Sequence, residues 1–339
     1  MRRAPHSTDL DAYGTVLDLL RSGRPLYEST ERYNYPPLWS WLLGGVGRAA
    51  AGAGVPFFAA VRATLVAVDV GVAALLYRLA RRLGHPEPLG PAALYLANPI
   101  AIWVSAAQGQ FDDLMILFLL LALLLDRGVR SPEESPRWSA MLSLAASIGI
   151  KQAAAFHPIL WFRGRHRWRA ALPWVLVALS FAPYAAQVPA IRDHVLFYRT
   201  VPRSFGFSEI VLAESAWAAP VALAACAAAA ASAWTLRNRD PVRASLFVFL
   251  VLLVLAPGFG MQYLVWPIAL GCLFPSAGLW LATAAGLLWT DVGGAWSRIP
   301  GVNQFGGQLL WLSLVYWTLR EARARGLWPS LFAPRAARG

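Results

Sequence analysis

Long apolar segments alternate along the chain with short polar breaks. Eleven segments are apolar enough to form buried helices: 57–80, 89–106, 111–126, 138–150, 153–163, 170–187, 209–235, 243–257, 261–274, 276–290 and 305–320. A helix needs about 20 apolar residues to cross a bilayer, so the two short segments that flank residue 151 are predicted to be a broken or tilted pair. The pattern predicts an all-α polytopic membrane protein with about eleven transmembrane helices.

The first 56 residues have the pattern of helices that lie at a membrane surface. One helical face of 9–23 is apolar and carries Leu10, Tyr13, Leu17 and Leu20. The stretch 35–54 is rich in Trp and Gly and is interrupted by an arginine, which is typical of an interfacial helix. The predicted domains are an N-terminal loop with interfacial helices, a transmembrane bundle and a tail, at 1–56, 57–325 and 326–339.

Composition agrees with a membrane protein and predicts its orientation. Of the 339 residues, 58% are hydrophobic and 14% are charged, whereas soluble domains carry about 25% charged residues. The net charge of +12 comes from arginine clusters between apolar segments, which argues against one basic patch for nucleic acid. Cytoplasmic loops carry such clusters, so we place the N-terminal loop, the Lys151 region and the loop 188–209 outside and the tail inside.

Lys151 is the only lysine in the chain, and it lies within an apolar run where a lone ammonium is costly. Two explanations stay open at this point. The side chain reaches the membrane interface, or it faces an outward cavity and binds an anion such as phosphate. Gln152 beside it, and the arginines Arg199 and Arg203 of the long outer loop, would suit the same anion.

Carboxylates and amides occupy the other outward breaks. Asp9 and Asp11 form an acidic pair at the start of the first surface helix, and Asp112 follows Gln110 at the start of a predicted span. Capping of a helix N-terminus is one explanation for these aspartates, and chemistry at a shared site is the other. The break near residue 260 adds two more polar side chains, Gln262 and Tyr263.

Three other residues inside apolar segments are interpreted as structural. Asp69 is expected to face the helical bundle or to pair with Arg62, two turns earlier. Cys226 and Cys272 are expected to be small buried hydrophobes, not a disulfide or a metal pair.

Four segments in order resemble the GT-C superfamily, polytopic glycosyltransferases that use polyprenyl-phosphate sugars outside the cytoplasm. They are 7–43 with its acid–x–acid pair and YPPL, 95–121 with NP and GQFD, 147–158 with KQ and HP, and 257–270 with QYLVW. The first is similar to the mannosyltransferase that adds the first mannose of the GPI core and to bacterial polyprenol-phosphomannose-dependent mannosyltransferases. The resemblance covers roughly residues 8–275.

The resemblance implies a GT-C-type helical bundle and an inverting transfer of a hexose, with mannose favoured over glucose, to an acceptor hydroxyl. It implies that Asp9 is the catalytic base, with Asp11 as the second acid of the pair. The residues expected to hold the donor phosphate are Lys151, Gln152, Arg199 and Arg203. Those expected to contact substrate are Gln110, Asp112, Gln262 and Tyr263.

The expected partners are the polyprenyl-phosphate sugar, membrane lipids and a glycan, lipid or protein acceptor, with no nucleic acid. The cofactor stays open, either none or a divalent cation on the acid–x–acid pair. The expected location is a bacterial inner (plasma) membrane with an extracytoplasmic active site. The family normally has a span before this loop, whereas eight residues precede Asp9, so we expect an upstream start or a lost first span.

Two other functions are compatible with the polar residues. A transporter or lipid-linked sugar flippase would use an intramembrane Lys and Asp as substrate or proton sites. The polar residues gather at the outer ends of predicted spans instead of at mid-membrane, which favours the transferase. A non-catalytic partner subunit is the third alternative, and it would be insensitive to loss of Asp9.

Overall fold

The computed structural model of the chain describes residues 8–126, 135–197, 218–258, 260–290 and 302–327. These residues form helices joined by turns and contain no β-strand, so the predicted all-α class is confirmed. The α-helices are α1 (Thr8–Ser22), α2 (Leu26–Ser29), α3 (Pro37–Gly52), α4 (Phe57–Leu83), α5 (Leu89–Leu96), α6 (Pro99–Ile102), α7 (Asp112–Leu125), α8 (Trp138–Ile150), α9 (Leu172–Ser180), α10 (Val188–Ile191), α11 (Ala218–Leu236), α12 (Pro241–Leu255), α13 (Val265–Gly271), α14 (Ala277–Thr290) and α15 (Val302–Ala324).

Several connections are shorter 3₁₀ or π helices. The 3₁₀ helices are Gln152–Trp161, Arg167–Ala171, Ala182–Gln187 and Met261–Leu264, and the π helices are Trp103–Ala107 and Arg192–Leu196. The predicted short span at 153–163 is one of the 3₁₀ helices, and Pro158 lies inside it. A proline has no backbone N–H to donate and clashes with the preceding turn, so an α-helix is disfavoured there. The predicted loop at 188–209 begins as helix α10.

Apolar helices long enough to cross a bilayer are fewer than the sequence predicted. Among the described residues, α4 and the stretch Ala219–Leu236 pass this test alone. Two bent pairs pass it together: Leu89–Leu96 with Pro99–Ala107, bent by 51°, and Arg167–Ser180 with Ala182–Leu196, bent by 62°. The structure thus has two to four candidate spans in a helical membrane protein, and eleven spans stay a prediction.

The helix α7 lies at the centre of the part of the bundle that positions the polar residues. It packs against α4 on one side and α8 on the other, and α13 also contacts it. The helices α1 and α3, which the sequence predicts to lie at the membrane surface, pack on each other and on α4. The first residues of α7 are therefore enclosed by elements from both the N-terminal and the C-terminal halves of the chain.

A buried polar cluster joins α4, α5 and α7. The Tyr95 hydroxyl lies 3.0 Å from Asp69 Oδ1 and 2.8 Å from Asp113 Oδ1, and the Ser105 hydroxyl donates to the other Asp69 oxygen. Asp113 has no exposed surface. Asp69 therefore faces the bundle, which was one of the two predicted alternatives, and these contacts hold the helices that surround α7.

Candidate active site

Lys151 lies in an extended link between α8 and the following 3₁₀ helix, with φ −151° and ψ 127°. Its ammonium donates to both Asp112 oxygens, at 2.7 and 2.8 Å. The exposed fraction is 5% for Lys151 and 0% for Asp112. Removing both charges from water is costly unless further hydrogen bonds compensate, and the Trp266 indole N–H donates to Asp112 Oδ1 at 2.6 Å. The lysine side chain therefore points into the protein and does not reach the interface.

Four aromatic rings surround the Lys151 ammonium. The Tyr263 ring centre lies 4.7 Å from Nζ, and the ring centres of Tyr35, Phe111 and Trp266 each lie 5.5 Å away. The faces of aromatic rings attract cations, most strongly where water is excluded. We call these four rings the aromatic cage. It unites the N-terminal segment, the start of α7 and the start of α13 around one charge.

The start of α1 brings Asp9 to the same end of α7. The Gln110 side-chain amide donates to Asp9 Oδ2, across 101 positions of the chain. Asp11 is exposed instead, because residues two apart on an α-helix point about 200° apart. The acid–x–acid pair therefore does not converge on one point. It lacks the shape that chelates a divalent cation, and the described residues include no group of three carboxylate, His or Cys side chains that could hold a metal ion.

Gly109 makes this docking of α1 possible. Its φ of +69° is in the left-handed region, where residues with a side chain are strained. A Cβ at this position would also lie 2.8 Å from Leu10 Cδ2, on the inner face of α1. A side chain at position 109 would therefore be strained and would force Leu10 to move, and the turn directs Gln110 towards Asp9.

Two buried tyrosines lie close to both carboxylates. Burial, and then the charges of Asp9 and Asp112, raise the pKa of the Tyr13 hydroxyl well above its usual value. Burial likewise raises the pKa of Tyr35, and the carboxylates Asp112 and Asp9 add to the effect. Both phenols are thus protonated at any working pH. The Tyr13 hydroxyl is buried and has no hydrogen-bond partner within the part of the chain that the structure describes.

Gln152 contacts the N-terminal segment and is not bonded to the Asp112–Lys151 pair. Its amide donates to the Asn34 carbonyl oxygen at 3.0 Å. The Gln152 Oε1 atom and the Asn34 Oδ1 atom are buried, and neither has a partner among the described residues. The Gln110 Oε1 atom is in the same situation. Several hydrogen-bond acceptors around the cage are therefore unused by the protein itself.

The structure brings most of the predicted site residues to one end of α7, but not all of them. Tyr263 lines the cage and stacks on Trp266 with ring centres 4.6 Å apart. Gln262 is half-buried in the 3₁₀ helix before α13 and folds back towards Gly260. The remaining two predicted residues, Arg199 and Arg203, lie outside the described residues. Capping by Asp112 is not observed, since its side chain bonds to Lys151 and Trp266.

Sequence reasoning missed four residues of this cluster, namely Tyr13, Asn34, Tyr35 and Trp266. Tyr13 was assigned to the apolar face of α1 because an apolar ring with one polar atom fits that pattern. A signal for Trp266 did exist. It follows Tyr263 by three positions, and residues three apart share one helical face, so the two rings were bound to meet.

The comparison with known families agrees with the geometry. The fold defines a class of protein: an all-helical membrane protein with a buried Asp–Lys pair at the start of helix α7. Residues 19–164 match the family model MptA_B, described as "Alpha-(1->6)-mannopyranosyltransferase, N-terminal domain". No curated protein and no solved structure matches the chain. The predicted resemblance to membrane mannosyltransferases is confirmed over this segment, the chain is a glycosyltransferase, and a transporter is not favoured.

Proposed function

We propose that the protein transfers mannose from a polyprenyl-phosphate-linked donor to an acceptor hydroxyl on the extracytoplasmic face of a bacterial inner membrane. The observation that supports this most strongly is the pairing of Asp9 with Gln110 beside the Asp112–Lys151 pair, in a chain with a mannosyltransferase family match. A base near a buried cation is what a transfer from a phosphate leaving group requires.

The two carboxylates are suited to different roles. Asp112 accepts hydrogen bonds from an ammonium and an indole, so its oxygens are already engaged within the protein. Asp9 is only half-buried, and the contact that its carboxylate makes with Gln110 is to a neutral amide. We therefore assign the role of base to Asp9 and the role of holding the Lys151 ammonium in place to Asp112. The exposed Asp11 has no assigned step.

The proposed reaction is a single inverting displacement. Asp9 takes the proton of the acceptor hydroxyl as its oxygen attacks C1 of the donor mannose, and the bond from C1 to the phosphate oxygen breaks. The phosphate leaves with the bonding electrons, and positive charge on Lys151, Arg199 and Arg203 stabilises it. A β-linked donor then gives an α-linked product, which agrees with the α linkage in the name of the matched family.

The experiment compares Asp9→Asn with Asp11→Asn. Each variant removes one charge from the same helix turn, but only the first alters a group that faces Gln110. We expect Asp9→Asn to lower the transfer rate at least about 100-fold, and Asp11→Asn to leave it within a factor of about three. The measurement is radiolabel transfer from polyprenyl-phosphate mannose in isolated membranes, with polyprenyl-phosphate glucose as the second donor.

Protein amount and melting temperature in detergent serve as controls for folding. Normal transfer by Asp9→Asn would refute the assignment of the base. Transfer from the glucose donor alone would refute the proposed sugar while leaving the base intact.

A further inference from the structure

We propose that Tyr13, Gln110 and Gln152 form a subsite that binds the ring hydroxyls of a mannosyl residue. The proposal rests on the transferase function proposed above and adds the residues that would recognise the sugar. Tyr13 is 3% exposed and Gln110 is 4% exposed, so neither polar group has ready access to solvent. Each nonetheless carries a polar atom without a partner in the described parts of the chain.

The orientation of both amides is fixed by what their nitrogens contact. The Gln110 nitrogen lies against a carboxylate, and the Gln152 nitrogen lies against a backbone carbonyl. Both contacts are with pure acceptors, so the nitrogen must be on that side and the oxygen on the other. The unused atoms are therefore amide oxygens, which accept hydrogen bonds and do not donate them.

The donors and acceptors without a partner indicate which kind of ligand would fit this subsite. Gln110 and Gln152 each offer an acceptor, and the buried Asn34 Oδ1 offers a third. The protonated Tyr13 hydroxyl offers a donor. A phosphate has acceptors only and would meet repulsion from three amide oxygens. A sugar hydroxyl both donates and accepts, so a ring with several hydroxyls can satisfy the whole set.

Tyr13 and Gln110 are also close to the proposed reaction centre. Tyr13 follows Asp9 by one helical turn, so both side chains lie on the same face of α1. The Tyr13 ring meets the Phe111 ring edge-on with centres 6.0 Å apart, and Tyr35 meets Phe111 at 4.7 Å. Gln110 precedes Phe111 directly. A mannosyl ring bound by this subsite would lie beside both the base and the aromatic cage.

An unused buried hydroxyl is a cost to the folded protein. A buried hydroxyl without a partner destabilises the folded protein, whereas its replacement by hydrogen removes that penalty. A tyrosine there is therefore worse for stability than a phenylalanine of the same shape. Binding of a ligand hydroxyl gives the Tyr13 oxygen a function that packing alone does not.

The test is Tyr13→Phe, with Tyr33→Phe as the matched control. The Tyr33 hydroxyl is equally buried, but it donates to the Pro36 carbonyl at 2.7 Å and accepts from the Ser40 amide at 2.9 Å. We expect Tyr13→Phe to melt at the same or a higher temperature and to lose about tenfold in kcat/KM. Tyr33→Phe should melt at a lower temperature. A Tyr13→Phe enzyme with unchanged kcat and KM would overturn the proposal.

The mannosyl ring belongs either to the donor or to the acceptor, and two assay arms separate them. If the donor binds here, Tyr13→Phe raises the KM for polyprenyl-phosphate mannose. If a mannosylated acceptor binds here, the KM for an α-mannoside acceptor rises instead. Deoxymannose versions of that substrate should lose affinity with the native enzyme and show a smaller loss with Tyr13→Phe. An equal loss in both enzymes would contradict direct contact.

The activities of the Asp9→Asn and Tyr13→Phe variants together show whether the subsite or the proposed function is wrong. An inactive Asp9→Asn together with an unaffected Tyr13→Phe refutes the subsite alone. An active Asp9→Asn refutes the base, whatever Tyr13→Phe does.

Discussion

At the scale of single residues, the stability of the site depends on the buried Asp112–Lys151 pair. The two charges are 39 positions apart and approach to 2.7 Å in a site with almost no solvent. Burial of an ion pair is close to neutral in energy when every bond is made, whereas removal of one partner strands the other charge. The stability of the cluster thus depends on both residues together.

Lys151→Met should therefore lower the free energy of unfolding by about 3–5 kcal/mol, because Asp112 is left charged and buried. The double variant Lys151→Met/Asp112→Leu should regain most of this loss and still transfer no mannose. Melting in detergent measures the first effect and the radiolabel assay the second. The exposed pair Arg192–Asp193, with both side chains more than half exposed, is the control, and Arg192→Met should leave the melting temperature unchanged.

Should the double variant fold well and retain transfer, Lys151 would have a structural role only. A single variant that melts like the native protein would show that the pair is not desolvated. The two outcomes separate the proposed catalytic role of the ammonium from its effect on packing.

At the scale of elements, the packing of α1 against the turn at Gly109 determines whether Asp9 contacts Gln110. Gly109 and Gly23 have nearly the same backbone conformation, with φ of +69° and +65°. Their surroundings differ, since a Cβ at Gly23 would meet nothing within 4 Å, whereas at Gly109 it would meet Leu10. The two positions therefore separate backbone strain from steric conflict.

We expect Gly23→Ala to cost about 1 kcal/mol in unfolding free energy, from backbone strain alone. Gly109→Ala should cost more, because strain and the contact with Leu10 add. It should also lower transfer activity by displacing Asp9 from Gln110. The measurements are melting temperature and the rate of transfer for both variants. Equal effects of the two substitutions would contradict the proposed docking of α1.

The element pattern also shows what the sequence could and could not predict. Apolar segments predicted the helices α4, α8 and α14 with ends within a few residues, because helical periodicity is a local signal. The 51° bend between α5 and the helix that begins at Pro99 was not predicted, because apolar periodicity carries no information on the angle between successive helices. Nor does periodicity report partners across the chain, such as Trp266 and Asp112, which are 154 positions apart.

At the scale of the whole molecule, the proposed function requires the protein to be oriented in the membrane with its site on the extracytoplasmic side, where the donor is. We propose that α1 and α2 lie outside and that the turn between α11 and α12 lies in the cytoplasm, where Arg237 and Arg239 follow the positive-inside rule. The predicted outward breaks at Gln110, at Lys151 and near residue 260 then lie on the same side of the membrane as the cage.

Single cysteines test this orientation in a background that lacks Cys226 and Cys272. Arg24 and Arg239 are exposed positions on the two proposed sides. A membrane-impermeant maleimide should label Arg24→Cys in intact spheroplasts, and should label Arg239→Cys only after permeabilisation. The reverse pattern would place the site in the cytoplasm and contradict the proposed donor side.

The solitary lysine has a consequence for the chemistry that can be directed at this protein. Lys151 is the one lysine in the sequence, so the chain has one ε-amine. That amine is enclosed by four rings and a carboxylate. An acylating reagent that reacts with ε-amines therefore modifies one nitrogen atom in the chain. Because the reagent reaches this atom only when the aromatic cage opens, the acylation rate measures the frequency of opening.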